Sequence, residues 1–374
     1  MLQGLTTGLA LAVVVWTLLP LLRHDAWWVR MHDFPRVQIT LIGTGVLAAH
    51  ASLAGWRDPA DAVLLLALAA CVLFQLAHIV RYTPWWPKQV LGAQELATGA
   101  AGDDTLALMV ANVLTPNRRA QDLVDLVRER RPDVLLTVET DGWWEAQLRP
   151  LEADYPHRVH RPQDNLYGMH LYSRLPLVDP QVHCLVEDGV PSIHAGVRLR
   201  NGRVVTLHGL HPSPPAPSEN PSSTERDAEL LRVAKALPQP ARAEVVMGDL
   251  NDVAWSATTR LFQKIGGLLD PRVGRGSFNT FHAKLPFLRW PLDHVFCSPD
   301  FTLMSMARLR AIGSDHFPIE VVLRLAPEAA DVHETPRADA EDHAQAREKL
   351  RRAGVDPAAP AAAGTTIEPS KGPS

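Results

Sequence analysis

Five short segments bring carboxylate, amide and imidazole groups to the ends of apolar runs. They are Ala111-Asn112-Val113, Val138-Glu139-Thr140, His211 at the close of VVTLHGLH, and Gly248-Asp249-Leu250-Asn251. The fifth is a late pair, Leu292-Asp293-His294 and Gly313-Ser314-Asp315-His316-Phe317-Pro318. Carboxylate and amide oxygens are the donors that a hard divalent cation selects. An imidazole is the side chain whose proton moves most readily near neutral pH. Gathered in one place, these groups could hold a cation and activate a water. Taken singly, each is equally well a surface loop or a satisfied polar contact. The elements that carry them decide which.

Residues 105–113 (TLALMVANV) form a continuous apolar run, as a strand buried on both faces does. Residues 117–130 place Leu123, Val124, Leu126 and Val127 on one side of a helix, which Pro132-Asp133 ends. Residues 134–139 (VLLTVE) make a second buried strand, and a strand–helix–strand unit of this kind is normally parallel. Further strands are predicted over 168–173, 193–199, 204–211, 244–248, 292–298, 301–311 and 318–325. Helices are predicted over 224–237 and 256–265. The Pro- and Ser-rich stretch 211–221 must be a loop. Ligands of α/β sheets bind at the C-terminal edge of strands, and Asn112, Glu139, His211 and Asp249 all lie at predicted strand ends.

In this order and at these places, the segments resemble the endonuclease/exonuclease/phosphatase superfamily, whose fold is that of DNase I. The resemblance spans about residues 104–325. It is carried by GDLN at 248–251 and SDHFPI at 314–319, with VET at 138–140 and LDHVF at 292–296. It implies an α/β fold, a four-layer sandwich of two packed β-sheets flanked by helices. It implies a Mg2+-dependent phosphoric ester hydrolase, with Mn2+ as a substitute. By the same resemblance Glu139 is the principal metal ligand, with Asn112 beside it and Asp315 as a further one. His316 is the general base and Asp293 its orienting carboxylate. Asp249 positions the attacking water, Asn251 bonds the phosphoryl oxygens, and His211 stabilises the transition state or protonates the leaving group. His208 is the rival to His211; their odd spacing on one strand puts them on opposite faces.

Other residues near these motifs carry weaker signals. His294 is expected to point into the sheet packing. His170 and Tyr172 share a strand face, where either a cleft or a structural role fits. Arg174 closes the same strand and could meet phosphate. Trp143 and Trp144 could floor a cleft or start a helix. Cys71, Cys184 and Cys297 match no zinc spacing and read as small hydrophobes.

The chain begins with three apolar runs, at 4–22, 37–55 and 62–80, each close to the ~20 residues that span a bilayer. Trp27-Trp28 and Trp85-Trp86 flank them, as interfacial tryptophans do. Three transmembrane helices are therefore expected before the catalytic domain, a layout that a bacterial branch of the superfamily shares. Arg23, Arg30 and Arg36 in the first loop, with Arg81 and Lys88 after the third run, outnumber Arg57 in the second loop. The positive-inside rule then puts the catalytic domain in the cytoplasm of a cell with an integral inner-membrane anchor. His50, Gln75 and His78 lie within the runs and are given no role. The expected organisation is 1–82 membrane region, 83–103 linker, 104–325 catalytic domain and 326–374 largely disordered tail, with a short charged helix at 338–352.

Charge bears on the substrate. Residues 104–325 hold 25 Lys and Arg against 26 Asp and Glu, and the whole chain carries −4. A sequence-independent nucleic-acid binder would show a basic face. A lipid-linked or headgroup phosphate is thus favoured as substrate, with an endo- or exonuclease as the alternative. A catalytically silent membrane scaffold would show gaps among the motif residues, and none is missing. A transporter is disfavoured, because few polar groups lie in the apolar runs.

Overall fold

The computed structural model describes residues 1–54, 58–96, 102–358 and 365–366. Arg57 of the second loop, Gly99 of the linker and tail residues 359–364 and 367–374 lie outside the described residues. Contacts divide the chain into two compact units. One comprises Met1–Pro87 with Pro215–Ser223 and Gly274–Gly276; the other comprises Lys88–Pro214, Thr224–Val273 and Ser277–Ser374.

The first unit is helical: α1 (Leu2–Leu18), α2 (Trp27–Arg30), α3 (Arg36–Leu53) and α4 (Pro59–Ile79). Asp58 caps α4 by accepting from Ala60 N, with Pro59 at the first helical position. Ala10, Val13, Ile39, Val46, Leu68 and Cys71 pack where α1, α3 and α4 meet. Their outward faces are also apolar, as Leu5, Leu41, Val63, Leu66 and Leu73 show. A helix apolar all round requires an apolar surrounding. Two helical segments, Leu2–Leu21 and Pro59–Tyr82, are long and apolar enough to cross a membrane. The expectation of three spans is corrected here, because α3 does not qualify. It starts at Arg36 and carries Gln38, Thr40, Thr44 and His50. Those polar groups have partners: Arg36 donates to Gln75 Oε1 (2.9 Å) and Asp33 Oδ1 (2.7 Å). Gln75 donates to Thr17 Oγ1, and His50 meets Thr6 Oγ1 at 2.9 Å. Interhelical hydrogen bonds of this kind join packed helices.

The second unit is built on two six-stranded sheets. The first holds β1 (Thr105–Asn112), β2 (Val134–Val138), β3 (His157–Arg161), β4 (Met169–Ser173), β10 (Phe301–Arg308) and β11 (Ile319–Leu325), in the order β10-β11-β1-β2-β4-β3. The second holds β5 (Leu177–His183), β6 (Ser192–Arg198), β7 (Val204–Leu210), β8 (Glu244–Asp249), β9 (Asp293–Cys297) and β12 (Thr365–Thr366), in the order β12-β5-β6-β7-β8-β9.

Alternation within each strand assigns side chains to layers. Leu108 and Val110 of β1 and Val245 and Met247 of β8 meet between the sheets. Met109 and Ala111 of β1 face outward onto α5 (Ala120–Arg130) and α6 (Gly142–Leu148). Val246 of β8 and Phe296 of β9 face outward onto α7 (Thr224–Ala236), α8 (Ala257–Gly266) and α9 (Ala340–Arg352). The result is the expected helix–sheet–sheet–helix sandwich. Burial on both faces explains why β1, β2 and the centre of β8 read as near-continuous apolar runs. Each buried Val or Leu contributes roughly 1.5–3 kcal/mol.

Within 326–374, α9 packs on the domain. Ala346 and Leu350 are buried beside α7 and α8, and Lys349 Nζ lies 2.7 Å from the buried Asp227 Oδ2. The charged helix expected at 338–352 is therefore present, and it is docked.

Candidate active site

Strand direction brings the five segments together. β1 and β2 are parallel, with Asn112 paired to Val138, so Asn112 and Glu139 emerge at the same edge. β7 and β8 are also parallel, with Leu210 paired to Gly248, so His211 and Asp249 share an edge. β9 runs antiparallel to β8, with Asp293 opposite Asp249; it contributes its first residue rather than its last. β11 runs antiparallel to β1, with Ile319 opposite Val110, which leaves Asp315 and His316 just before the strand at that edge.

The backbone is unusual at these positions. Glu139 (φ 61°) and Asn251 (φ 50°) occupy the left-handed region, which a side chain disfavours and which clusters at functional sites. Gly248 (φ 149°) has no room for a side chain: an added Cβ would sit 1.9 Å from Leu210 O. The glycine of GDLN thus lets β8 close onto β7 and sets Asp249 beside His211.

Hydrogen bonds join the two sheets here. Asn112 Nδ2 donates to Glu139 Oε1 (2.7 Å) and to Asp249 Oδ2 (3.0 Å), while its Oδ1 accepts from Leu114 N. His316 Nδ1 lies 2.7 Å from Asp293 Oδ2, and its Nε2 lies 3.5 Å from Asp249 Oδ2. Asp249 Oδ1 accepts from Asn251 N, and Asn251 Nδ2 donates to Pro212 O (2.9 Å). One Asn251 N–H therefore remains beyond the Pro212 bond.

The electrostatics is that of an anionic pocket. Burial pushes Glu139 up to about 7; the Asn112 hydrogen bond and His316 oppose the shift, and Asp249 and Asp315 add to it. Burial also raises Asp249, against the pull of His316. Burial opposes the charged form of His316, but Asp293 and Asp249 outweigh it and hold the ring up at about 10. Burial drives His211 down to about 4, with Asp249 opposing, so its ring is neutral. It lies 5.7 Å from the Tyr167 ring.

A hard cation fits this donor set. Glu139, Asp249, Asp293 and Asp315 act on one small region against one charged imidazole. Asp293 Oδ1 is buried without a hydrogen-bond partner among the described residues. Among the described residues, donor atoms of Asp249, Asp293 and His316 lie within 4.8 Å of one another. In that trio His316 Nδ1 and Asp293 Oδ2 already bond each other. The place that wants positive charge is between Glu139 and Asp249, where the Asn112 amide now points its N–H groups.

Residues behind the site were not legible in its motifs. Arg226 NH1 donates to Asn251 O (2.7 Å) and so holds the GDLN turn. Arg272, paired with Asp270, donates to His294 Nδ1 (2.6 Å), and His294 Nε2 donates to Asp252 O (2.8 Å). His294 thus lies in the packing, as expected. Of the two histidines, His211, just past the end of β7, reaches the site; His208, within the strand, bonds Glu244 and His194 instead. Arg174 lies at the opposite edge. β4 is antiparallel to β2, Ser173 pairs with Val134, and Arg174 bonds Asp133 O and Arg131 O. His170 and Tyr172 are buried, Tyr172 among residues packed on α5 and α6. Trp144 is fully buried there too; Trp143 is half-buried, with the Arg118 guanidinium 4.5 Å from its ring centre.

A family model described as the Endonuclease/Exonuclease/phosphatase family matches residues 109–316. Several solved structures are similar. A humanised TDP2 of D. rerio carrying 14 mutations has 18% identity and a TM-score of 0.49, covering 59% of this chain and 99% of its own. An endonuclease/exonuclease/phosphatase protein of Beutenbergia cavernae has 18% identity and a TM-score of 0.49, covering 60% and 72%. The human Nocturnin catalytic domain with bound sulfate has 16% identity and a TM-score of 0.49, covering 60% and 94%. No curated protein matches the sequence.

Proposed function

We propose that this chain, which belongs to the endonuclease/exonuclease/phosphatase family, is a membrane-anchored, divalent-metal-dependent phosphoesterase acting on a lipid-linked phosphoester. The observation that carries the reading is the pocket that joins Asn112, Glu139 and Asp249 to the His316–Asp293 pair. An anionic pocket repels a phosphoester unless a cation stands between them. Glu139 and Asn112, with Asp315, are the residues that would hold Mg2+ or Mn2+. When bound there, such an ion would supply positive charge for the phosphoryl oxygens and against the carboxylate field that keeps His316 charged.

The chain's own residues supply the rest. Asp293 fixes the His316 ring through Nδ1 and leaves Nε2 to take a proton from water. Asp249, 3.5 Å from that nitrogen, orients the water. The second N–H of Asn251 and the His211 ring face the phosphoryl and leaving-group oxygens. His211, being neutral, stabilises them by hydrogen bonding rather than by charge.

The near-neutral charge of 104–325 supports a lipid-linked substrate, and the two apolar helices support a membrane anchor. Anchoring raises the effective concentration of a membrane-held substrate. The test is turnover by the full chain, reconstituted in vesicles with Mg2+, on a phospholipid phosphoester and on single- and double-stranded DNA. Preferential hydrolysis of the lipid is expected. Preferential cleavage of DNA would replace this reading with the nuclease.

A further inference from the structure

The segment 278–290 folds against the motif that carries His316. Ala283 N donates to Asp315 O (2.6 Å), Phe317 N donates to Thr280 O (2.9 Å), and the Phe281 ring lies 5.0 Å from that of His316. Beside this junction two guanidinium groups converge on one ring. Arg289 Cζ lies 5.1 Å and Arg308 Cζ 4.5 Å from the centre of Phe317. Arg289 donates to the carbonyls of His282 and Ala283, and Arg308 to that of Asn279.

Several arginines of the domain pair with carboxylates: Arg272 with Asp270, Arg324 with Asp104, Arg226 with Asp227. Among the described residues no carboxylate pairs with Arg289 or Arg308. Two like charges held on one ring repel each other, and Arg308 is held below its ordinary range by burial and by Arg289. Carbonyl bonds fix both side chains and leave guanidinium edges for an anion. Next to them the segment turns outward with Lys284, Leu285 (46% exposed), Phe287 (86%) and Leu288 (45%). Exposed apolar side chains beside cations suit a phosphate carried on an apolar body.

We propose that Arg289 and Arg308, backed by Phe317, bind a second phosphate-class anion of the substrate, next to the phosphoester that is cleaved. This deepens the phosphoesterase reading and rests on it. The second anion belongs to a lipid headgroup or to a soluble bisphosphate. Exposed Leu285, Phe287 and Leu288 favour the lipid.

The test uses the full chain with Arg289→Gln, Arg308→Gln, both together, and Phe287→Ser. One arm measures kcat and KM on an aryl phosphodiester and on the same ester bearing a second phosphate, free or held in a vesicle. Each Arg→Gln change is expected to raise KM for the second substrate roughly 10-fold, with kcat and the plain ester unchanged. A lipid source makes Phe287→Ser raise KM for the vesicle-held substrate alone; a soluble source leaves it without effect, and the subsite stands in either case. Equal losses on both esters, or none, would overturn the proposal. A second arm measures pyrophosphate binding in EDTA, which needs no turnover. Binding lost in the double variant and kept in His316→Ala supports the subsite even if no ester is hydrolysed. Binding unchanged by the double variant, or absent from the parent, refutes it.

Discussion

Glu229→Gln should stabilise the protein at alkaline pH and leave it almost unchanged at acid pH. Glu229 lies on α7, is 1% exposed, and has one carboxylate oxygen without a hydrogen-bond partner. Burial, reinforced by Glu187, pushes its carboxyl up to about 8 from 4.5. The folded state therefore holds the proton more tightly than the unfolded chain. The contribution of that proton is full below about pH 4.5 and is lost as pH rises toward 8. Each pH unit in that window costs about 1.4 kcal/mol, or roughly 3 kcal/mol at pH 7 and about 5 kcal/mol above pH 8. Glutamine keeps the shape and has no charge to bury. Denaturant unfolding of the full chain in detergent, followed by tryptophan fluorescence from pH 5 to 9, reads the difference. The two proteins should coincide near pH 5 and diverge by several kcal/mol at pH 8.5, with the variant more stable. Parallel curves across the range would show that Glu229 is not held neutral, and the burial argument would be wrong.

Further outcomes follow from other contacts. Asp293→Asn removes the charge behind His316 Nδ1 at 2.7 Å; kcat should fall about 10^2- to 10^4-fold with little change in KM, as steady-state kinetics will show. Gly248→Ala forces a Cβ to within 1.9 Å of Leu210 O; a loss of about 3 kcal/mol in unfolding free energy is expected, with loss of turnover. Lys349→Met removes one of two cations from the fully buried Asp227. It should cost about 2 kcal/mol at pH 7, and hydrogen exchange in α9 should rise. Burial alone would raise the Asp227 carboxyl, but Lys349 and Arg226 hold it well below the usual range. That contribution is present above about pH 4 and is lost as pH falls, so the Lys349→Met deficit should shrink in acid.

Much of the site was legible because its residues sit at the ends of strongly apolar strands. β1, β2 and β8 are buried on both faces and cannot be mistaken for surface loops. Asn112, Glu139 and Asp249 mark their ends. Other elements lacked such a signal. β3 (HRVHR) buries little beyond Val159, and β5 contains Pro180 and a register shift, so neither shows a clear run. α6 has seven residues and is set by the Asp141 cap rather than by periodicity. The place of Arg174 was not legible, because closing a strand says nothing of which edge it reaches; the antiparallel β2–β4 pairing is a non-local fact. The second apolar run has nearly the length of a span, but its polar residues pair with neighbours that are remote in sequence. The supporting residues Arg226, Asp252, Asp270 and Arg272 carry no motif, since their roles depend on packing around His294 and Asn251.

The central claim is that one metal-dependent pocket hydrolyses a phosphoester. The most direct measurement is turnover of a chromogenic phosphodiester and monoester by the full chain with Mg2+, with EDTA, and with Glu139→Ala and His316→Ala. Activity that needs the metal and falls at least about 10^2-fold in each variant is the predicted result. Turnover indifferent to EDTA or to both substitutions would contradict the account. So would a folded protein that hydrolyses neither ester, phospholipid nor nucleic acid, and the silent scaffold would then take its place.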